Sequence, residues 1–164
     1  MNNNFDVIVI GSGPGGYVSA IRCAQLGFKT ACIEEQKTLG GTCLNLGCIP
    51  SKSLLNASEM FHKAQKEFKN IGIETTDIKL NLAKMMANKN KSVLTLTKGV
   101  EFLFKKNKIS NLKAKGSIID KNTLVVQDDS NKKINYKAKN IIIATGSTTT
   151  SLPGVKIYEK IIVS

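Results

Sequence analysis

Apolar residues fall along this chain in three rhythms. Residues 5–10, Phe-Asp-Val-Ile-Val-Ile, form a nearly unbroken run rich in β-branched side chains. A strand buried on both faces of a parallel sheet has this pattern. The run passes directly into Gly11-Ser12-Gly13-Pro14-Gly15-Gly16. A helix is predicted next, with Tyr17, Ala20, Ile21, Ala24 and Leu26 on or near one face and Gly27 as its stop. Residues 29–34, Lys-Thr-Ala-Cys-Ile-Glu, read as a second strand. Strand, glycine turn, helix and strand together have the length of a dinucleotide-binding unit.

A helical rhythm returns at residues 51–68, where Leu54, Leu55, Ala57, Met60, Phe61 and Ala64 are the apolar positions. Residues 72–76 break it, and a long amphipathic helix is predicted over 78–106. Its apolar positions, Ala83, Met86, Val93, Leu96, Val100 and Leu103, recur at helical spacing. Lys105, Lys106 and Lys108 suit the negative end of the helix dipole, and Asn107 is its expected stop. From Leu112 the period shortens: residues 112–119, 123–127 and 133–136 read as short strands. Turns at Asp120-Lys121-Asn122 and Asp128-Asp129-Ser130-Asn131 separate them. Residues 140–147, Asn-Ile-Ile-Ile-Ala-Thr-Gly-Ser, read as another buried parallel strand ending in a tight turn. The expected fold is α/β: a Rossmann-like parallel sheet with a small antiparallel β-meander inserted as a crossover.

Composition bounds this picture without changing it. A chain of 164 residues, 41% of them apolar, allows one domain with a sizeable core. It has no apolar run of the length needed to span a membrane. Residues 1–4 are polar, without a basic region or an apolar stretch, so no leader is expected and a cytoplasmic location is the default. The net charge of +12 comes from scattered lysines: residues 1–50 carry three basic and three acidic groups, 51–100 nine and four, 101–164 twelve and five. Few aromatics accompany them, so a solvated basic surface is expected rather than a nucleic-acid site. Such a surface would steer an acidic protein partner.

Two places carry chemistry. Gly11-x-Gly13-x-x-Gly16 lies between a buried strand and a helix, with Glu34 at the end of the next strand. A dinucleotide site needs that context: a tight turn at Gly11, close backbone approach to a pyrophosphate at Gly13, and close helix packing at Gly16. The helix N-terminus then stabilises the phosphate charge. Glu34 would accept hydrogen bonds from ribose hydroxyls and disfavour a 2′-phosphate, so NADP is not expected there. A glycine turn without a ligand is the alternative.

The second place is Gly40-Gly41-Thr42-Cys43-Leu44-Asn45-Leu46-Gly47-Cys48-Ile49-Pro50-Ser51-Lys52. In a straight helix, residues five apart rise about 7.5 Å along the axis. A disulfide wants a Cα separation of about 4.4–6.8 Å. A bridge between Cys43 and Cys48 therefore requires a distorted first turn or a helix that begins after the first cysteine, and Gly47 supplies the freedom. A helix N-terminus here would also favour the reactive thiolate. The residues allow a redox pair, a structural disulfide, a zinc site or two inert thiols. Zinc wants four ligands, whereas His62 is the only histidine and reads as a surface helix residue, so no metal is expected. Cys23 and Cys32 lie in apolar patterns and are expected to be buried thiols. Lys52 shares a helix face with Cys48; taken alone it is an ordinary surface lysine.

Residues 40–52 resemble the redox signature of the class I pyridine nucleotide-disulfide oxidoreductases. Within that family they are most similar to the branch acting on dihydrolipoamide, since the glutathione and mercuric reductases usually carry valines in the cysteine segment. The glycine motif, Glu34, Ala114-Lys115-Gly116 and Ile142-Ile143-Ala144-Thr145-Gly146-Ser147 follow in the family's order, so the resemblance covers the whole chain. It implies FAD as cofactor, with Gly11, Ser12, Gly13, Pro14, Gly15 and Gly16 at its pyrophosphate and Glu34 at the adenosine ribose. Gly41, Thr42 and Cys43 would line the flavin, and Lys52 would stand near its reactive nitrogen. Gly116 would meet the adenine end through its backbone, and Thr145, Gly146 and Ser147 would close over the cofactor. Cys43 is implied as the interchange thiol and Cys48 as the charge-transfer thiol beside the flavin.

Family members run on into nicotinamide-binding, central and dimerisation domains, the last supplying a His–Glu acid/base pair to the partner's dithiol. No second Gly-x-Gly-x-x-Gly occurs in this chain. The expectation is a fragment without turnover of its own: residues 1–150 as an FAD domain lacking its C-terminal return segment, and 151–164 as the start of a connection to an absent NAD-binding domain. NAD, a homodimer and the lipoyl domain of 2-oxo acid dehydrogenase complexes are expected for the full-length parent only. A truncated non-catalytic remnant, or a fragment of a sibling reductase of the glutathione or mercuric type, are the alternative readings.

Overall fold

The first apolar run becomes β1 (Asn4–Ile10), near the middle of a six-stranded sheet. The computed structural model describes residues 3–128 and 130–160. After β1 come α1 (Pro14–Gln25), β2 (Thr30–Glu34), the short α2 (Gly41–Asn45) and α3 (Cys48–Lys66). A single 3-10 turn at Phe68–Ile71 leads toward α4 (Leu82–Lys106). Then follow β3 (Ser110–Lys113), β4 (Lys115–Asp120), β5 (Thr123–Gln127) and β6 (Lys133–Ile143). The strand order is β3-β2-β1-β6-β5-β4. Pairings among β3, β2, β1 and β6 are parallel, and those among β6, β5 and β4 are antiparallel.

The unbroken apolar character of β1 and β2 follows from their having cover on both faces. Val7, Val9 and Cys32 pack with Ala20 of α1 and Val100 and Phe104 of α4. Ile8, Ile10, Ala31 and Ile33 pack with Leu124 and Val126 of the meander. β6 joins the two halves. Its residues 133–137 pair with β5, and from Lys137 onward it pairs in register with β1, ending at Ile10↔Ile143.

Three elements differ from the sequence expectation. The strand expected over 112–119 is two strands, because the chain bends at buried Ala114, whose N–H donates to the Glu34 carbonyl at 2.9 Å. β3 extends the parallel edge beside β2, whereas β4 turns to the meander and lies over the other face. A Cβ on Gly116 would stand 3.1 Å from Ile33 Cδ1. Conversely, the strands expected over 133–136 and 140–147 are one strand, and Thr145-Gly146-Ser147 lies past its end. In α4 the buried side chains are Thr97, Val100 and Phe104. Of the expected stripe, Met86, Leu96 and Leu103 are exposed. The helix starts at the Asn81 cap, whose side chain accepts from the Lys84 N–H at 2.9 Å, and ends at Asn107 as expected. Leu26, expected on the inner face of α1, is exposed beyond its end, and Cys23 is only partly buried. Residues 1, 2 and 161–164, and Asp129 of an expected turn, lie outside the described residues.

Candidate redox and nucleotide site

The glycine turn sits where β1 stops and α1 begins. Gly11 has φ +95°, and a Cβ there would collide with the carbonyl oxygen of Ala144, just past β6. Only glycine allows this backbone to pass so close. Gly13 is the N-cap of α1 and Pro14 its first residue; no side chain caps the first-turn amides and no acidic residue stands among them. Pro14 and Gly15 are exposed, while Gly16 is buried against the turn. Open amides and a positive helix end fit a pyrophosphate.

The cysteine pair lies next to this turn. α2 ends at Asn45 and α3 begins at Cys48, so the helix is interrupted at Leu46 and Gly47. Both residues' N–H groups donate to the Thr42 carbonyl, at 2.8 and 2.7 Å. The break brings the Cys43 and Cys48 Cα atoms to 4.6 Å, and the two are joined as a disulfide. This is the distortion that the five-residue spacing demanded. Cys43 is half-buried, and Cys48 is exposed in the first turn of α3. Gly41 has φ +58°, and its missing Cβ would stand 2.6 Å from Gly13 Cα. The cysteine loop therefore rests, at Gly41, on the backbone of the glycine turn.

Hydrogen bonds reinforce that contact. Ser12 is fully buried; its hydroxyl donates to Glu34 Oε2 at 2.5 Å and its N–H to the same oxygen at 2.9 Å. Glu34 Oε1 accepts from the Gln36 N–H at 2.8 Å. Three of the roughly four lone-pair sites of this carboxylate are thus taken within the chain, leaving one open. The Gly40 N–H donates to the Ser12 carbonyl at 3.0 Å and is 3.2 Å from its hydroxyl. Below the turn, the Cys32 thiol reaches the Gly11 carbonyl at 3.6 Å. Burial, with a smaller contribution from the Glu34 charge, pushes that thiol up to about 12.

Other expected site residues are placed as follows. Thr42 is exposed on α2, and Lys52 is exposed on α3 one turn beyond Cys48. Thr145, Gly146 and Ser147 are exposed, with Thr145 beside Gly11. Gly116 lies on β4 over Ile33 and Ile10. A small depression next to Glu34 is lined also by Lys37, Thr38, Glu101, Asn111 and Lys113. Sequence reading missed Asn45. Its side-chain N–H₂ donates to the carbonyls of Gly41 at 2.9 Å and Leu39 at 3.3 Å, and its oxygen accepts from Thr38 Oγ1 at 2.6 Å. It locks α2 into its single turn. The only signal was an Asn inside the cysteine loop, a residue type that bonds nearby backbone.

A strand–glycine turn–helix cradle, with the start of a disulfide-bearing helix packed against its second glycine, defines a class, the dinucleotide-binding redox domain. The chain belongs to the pyridine nucleotide-disulphide oxidoreductase family, whose profile matches residues 5–162. It is 53% identical to the mitochondrial dihydrolipoyl dehydrogenase of Pisum sativum, over 97% of this chain and 32% of that protein. With the mitochondrial dihydrolipoyl dehydrogenase of Schizosaccharomyces pombe it shares 54% identity, over 99% of this chain and 32% of that protein. With the leghemoglobin reductase of Vigna unguiculata it shares 55%, over 97% and 30%. The chain thus spans about a third of the length of the curated relatives it matches. These relatives correct the cytoplasmic location expected from the polar opening: the dihydrolipoyl dehydrogenases among them are named as mitochondrial, and residues 1–4 carry no weight against that. No helix among the described residues is long and apolar enough to cross a membrane.

Proposed function

We propose that this chain is the FAD-binding, redox-disulfide portion of a dihydrolipoamide dehydrogenase. The observation that carries the reading is the Cys43–Cys48 disulfide in a loop whose Gly41 packs against Gly13 of the glycine turn. The 53–54% identity to dihydrolipoyl dehydrogenases supports the substrate class. The turn at residues 11–16 would hold the cofactor's pyrophosphate through the α1 amides as donors, with Ser12, whose polar groups are bonded within the chain, shaping the turn from beneath. Glu34 would use its remaining lone pair on the adenosine ribose, beside the depression it lines with Lys37 and Lys113. Gly116 would serve the adenine end through its backbone, and Thr145, Gly146 and Ser147 would cover the cofactor. Gly41, Thr42 and Lys52 would face the flavin, the Lys52 ammonium holding negative charge near the ring. Bound FAD would supply a two-electron acceptor for the reduced cysteine pair, and in the parent enzyme NAD+ would receive the electrons.

The chain's own step is thiol–disulfide exchange. A dihydrolipoamide thiolate attacks Cys43 Sγ, the Cys43–Cys48 bond breaks, and Cys48 leaves as thiolate. The second substrate thiolate then attacks the mixed disulfide, forming cyclic lipoamide and releasing Cys43. Two electrons pass to the cysteine pair. The two substrate protons go to groups outside this chain. α3 favours the leaving thiolate, because Cys48 stands at its N-terminus. Residues 1–150 then act as the FAD domain, and 151–164 begin the connection to an NAD-binding domain. Homodimerisation and docking of a lipoyl domain belong to the parent.

Titration with FAD tests the reading. The chain is expected to retain the visible flavin bands after desalting, and a colourless protein would overturn the cofactor assignment. In a lipoamide-dependent NADH assay, this chain alone is expected to show no turnover, whereas the full-length parent turns over lipoamide in preference to glutathione disulfide or mercuric ion.

A further inference from the structure

Ser12 lies in the middle of the motif expected to bind phosphate, yet its side chain points the other way. It is fully buried, and each of its polar groups is engaged within the chain. The hydroxyl donates to Glu34 Oε2 at 2.5 Å, the N–H donates to the same oxygen at 2.9 Å, and the carbonyl accepts from the Gly40 N–H at 3.0 Å. The hydroxyl oxygen also lies 3.2 Å from that N–H, making a shared bond. Gly40 is the N-cap of α2, three residues before Cys43, and has φ +107° with no side chain to hold it. Its one backbone donor is held by Ser12, and Ser12 is held by Glu34.

A disulfide is favoured over two thiols to the extent that the fold keeps the sulfurs together, which is an effective concentration. α2 carries Cys43 and is only five residues long, so it has little stability of its own. Its orientation depends on where its first residues are fastened. We propose that Ser12 is a positioning residue for the redox turn: through Gly40 it fastens α2 to the glycine turn and so biases the Cys43–Cys48 pair toward the disulfide. The proposal deepens the functional reading above and rests on the pair being redox-active.

The test is equilibration of the purified chain with mixtures of glutathione and glutathione disulfide. Two glutathione thiols reduce the Cys43–Cys48 bond and leave as one glutathione disulfide, their two protons passing to the cysteines. Alkylation and mass spectrometry then count the dithiol form. Ser12→Ala is expected to shift the equilibrium toward the dithiol by about three- to tenfold, the effect of one net hydrogen bond. Ser19→Ala is the control: that hydroxyl, on α1 just after the glycine turn, donates to the Gly16 carbonyl at 3.0 Å and makes no bond to the redox turn. It is expected to leave the equilibrium within about twofold. A folded Ser12→Ala chain with the wild-type equilibrium, or an equal shift in Ser19→Ala, overturns the proposal. If Ser12→Ala does not fold, amide exchange at Gly40 in the unaltered chain decides. Linkage requires that reduction weaken the anchor if the anchor favours the disulfide. Faster Gly40 exchange after reduction supports the proposal, and unchanged exchange overturns it. A wild-type pair that no glutathione ratio reduces would overturn this proposal and the redox reading together, while failure to take up FAD would overturn the cofactor assignment alone.

Discussion

Gly41 has room for a hydrogen and nothing larger. Its φ of +58° and the 2.6 Å to Gly13 Cα leave no place for a methyl group. Gly41→Ala is expected to cost about 1–3 kcal/mol and to lower the thermal midpoint by roughly 3–10 °C; an unchanged melt would mean the two turns do not touch. At Cys32, burial raises the thiol from 9.0 to about 12. Folding therefore opposes its ionisation, so its contribution to stability is whole below about pH 9 and is lost as pH rises toward about 12. Alkylation at pH 8 is expected to leave Cys32 unlabelled in the native chain and to label it after unfolding, with half-exposed Cys23 as the internal comparison. Native labelling at Cys32 equal to that at Cys23 would contradict its burial. At this scale the glycine motif and the cysteine pair were legible, because turn geometry and bridge length demand particular residues at particular spacings. The direction of Ser12 and the role of Asn45 were not. Each depends on a hydrogen bond across the fold or to nearby backbone, and such bonds leave no fixed spacing in the chain.

At the scale of elements, α4 shows why a helix can be recognised while its buried face is read only in part: Val100 of the expected stripe is buried, and Met86, Leu96 and Leu103 are not. Large apolar residues occupy several of its sides, since Leu82, Met86, Leu94, Leu96, Phe102 and Leu103 are all exposed. More than one stripe therefore fits the helical period, and only the position of the sheet chooses Thr97, Val100 and Phe104. The choice predicts a contrast in denaturant unfolding. Phe104→Ala should cost about 3–5 kcal/mol, whereas Met86→Ala, also on α4, should stay within about 0.5 kcal/mol. A large loss at Met86 with none at Phe104 would restore the stripe expected from periodicity. β6 failed to read as one strand for a related reason. Lys137-Ala138-Lys139-Asn140 looks like a polar link, yet these residues sit where the strand passes from one partner to the other, with only Ala138 facing the core.

For the molecule as a whole, the sheet's two halves are tied where β1 and β6 run side by side. Asp6 of β1 accepts from the Lys139 ammonium of β6 at 2.8 Å and from the Lys29 N–H at 2.9 Å. Lys139, and then Lys29, hold the Asp6 carboxyl below its ordinary 3.8. Its contribution to stability is therefore present above the ordinary carboxylate range and lost as pH falls through the lowered value. Unfolding curves of the wild type and Asp6→Asn are expected to differ at neutral pH and to converge in acid; a difference that persists in acid would assign the loss to packing instead. The same seam has a consequence in time. The Asn3 side chain bonds the carbonyl of Asn135, 132 residues along the chain. At about 5–20 residues per second, a ribosome would release β1 roughly 7–26 s before the strand that completes its pairing. Until then β2 is the one strand, among the described residues, paired with β1, and the other edge of this apolar strand stays open to any chain nearby. The centre of this sheet is the part made first and closed last.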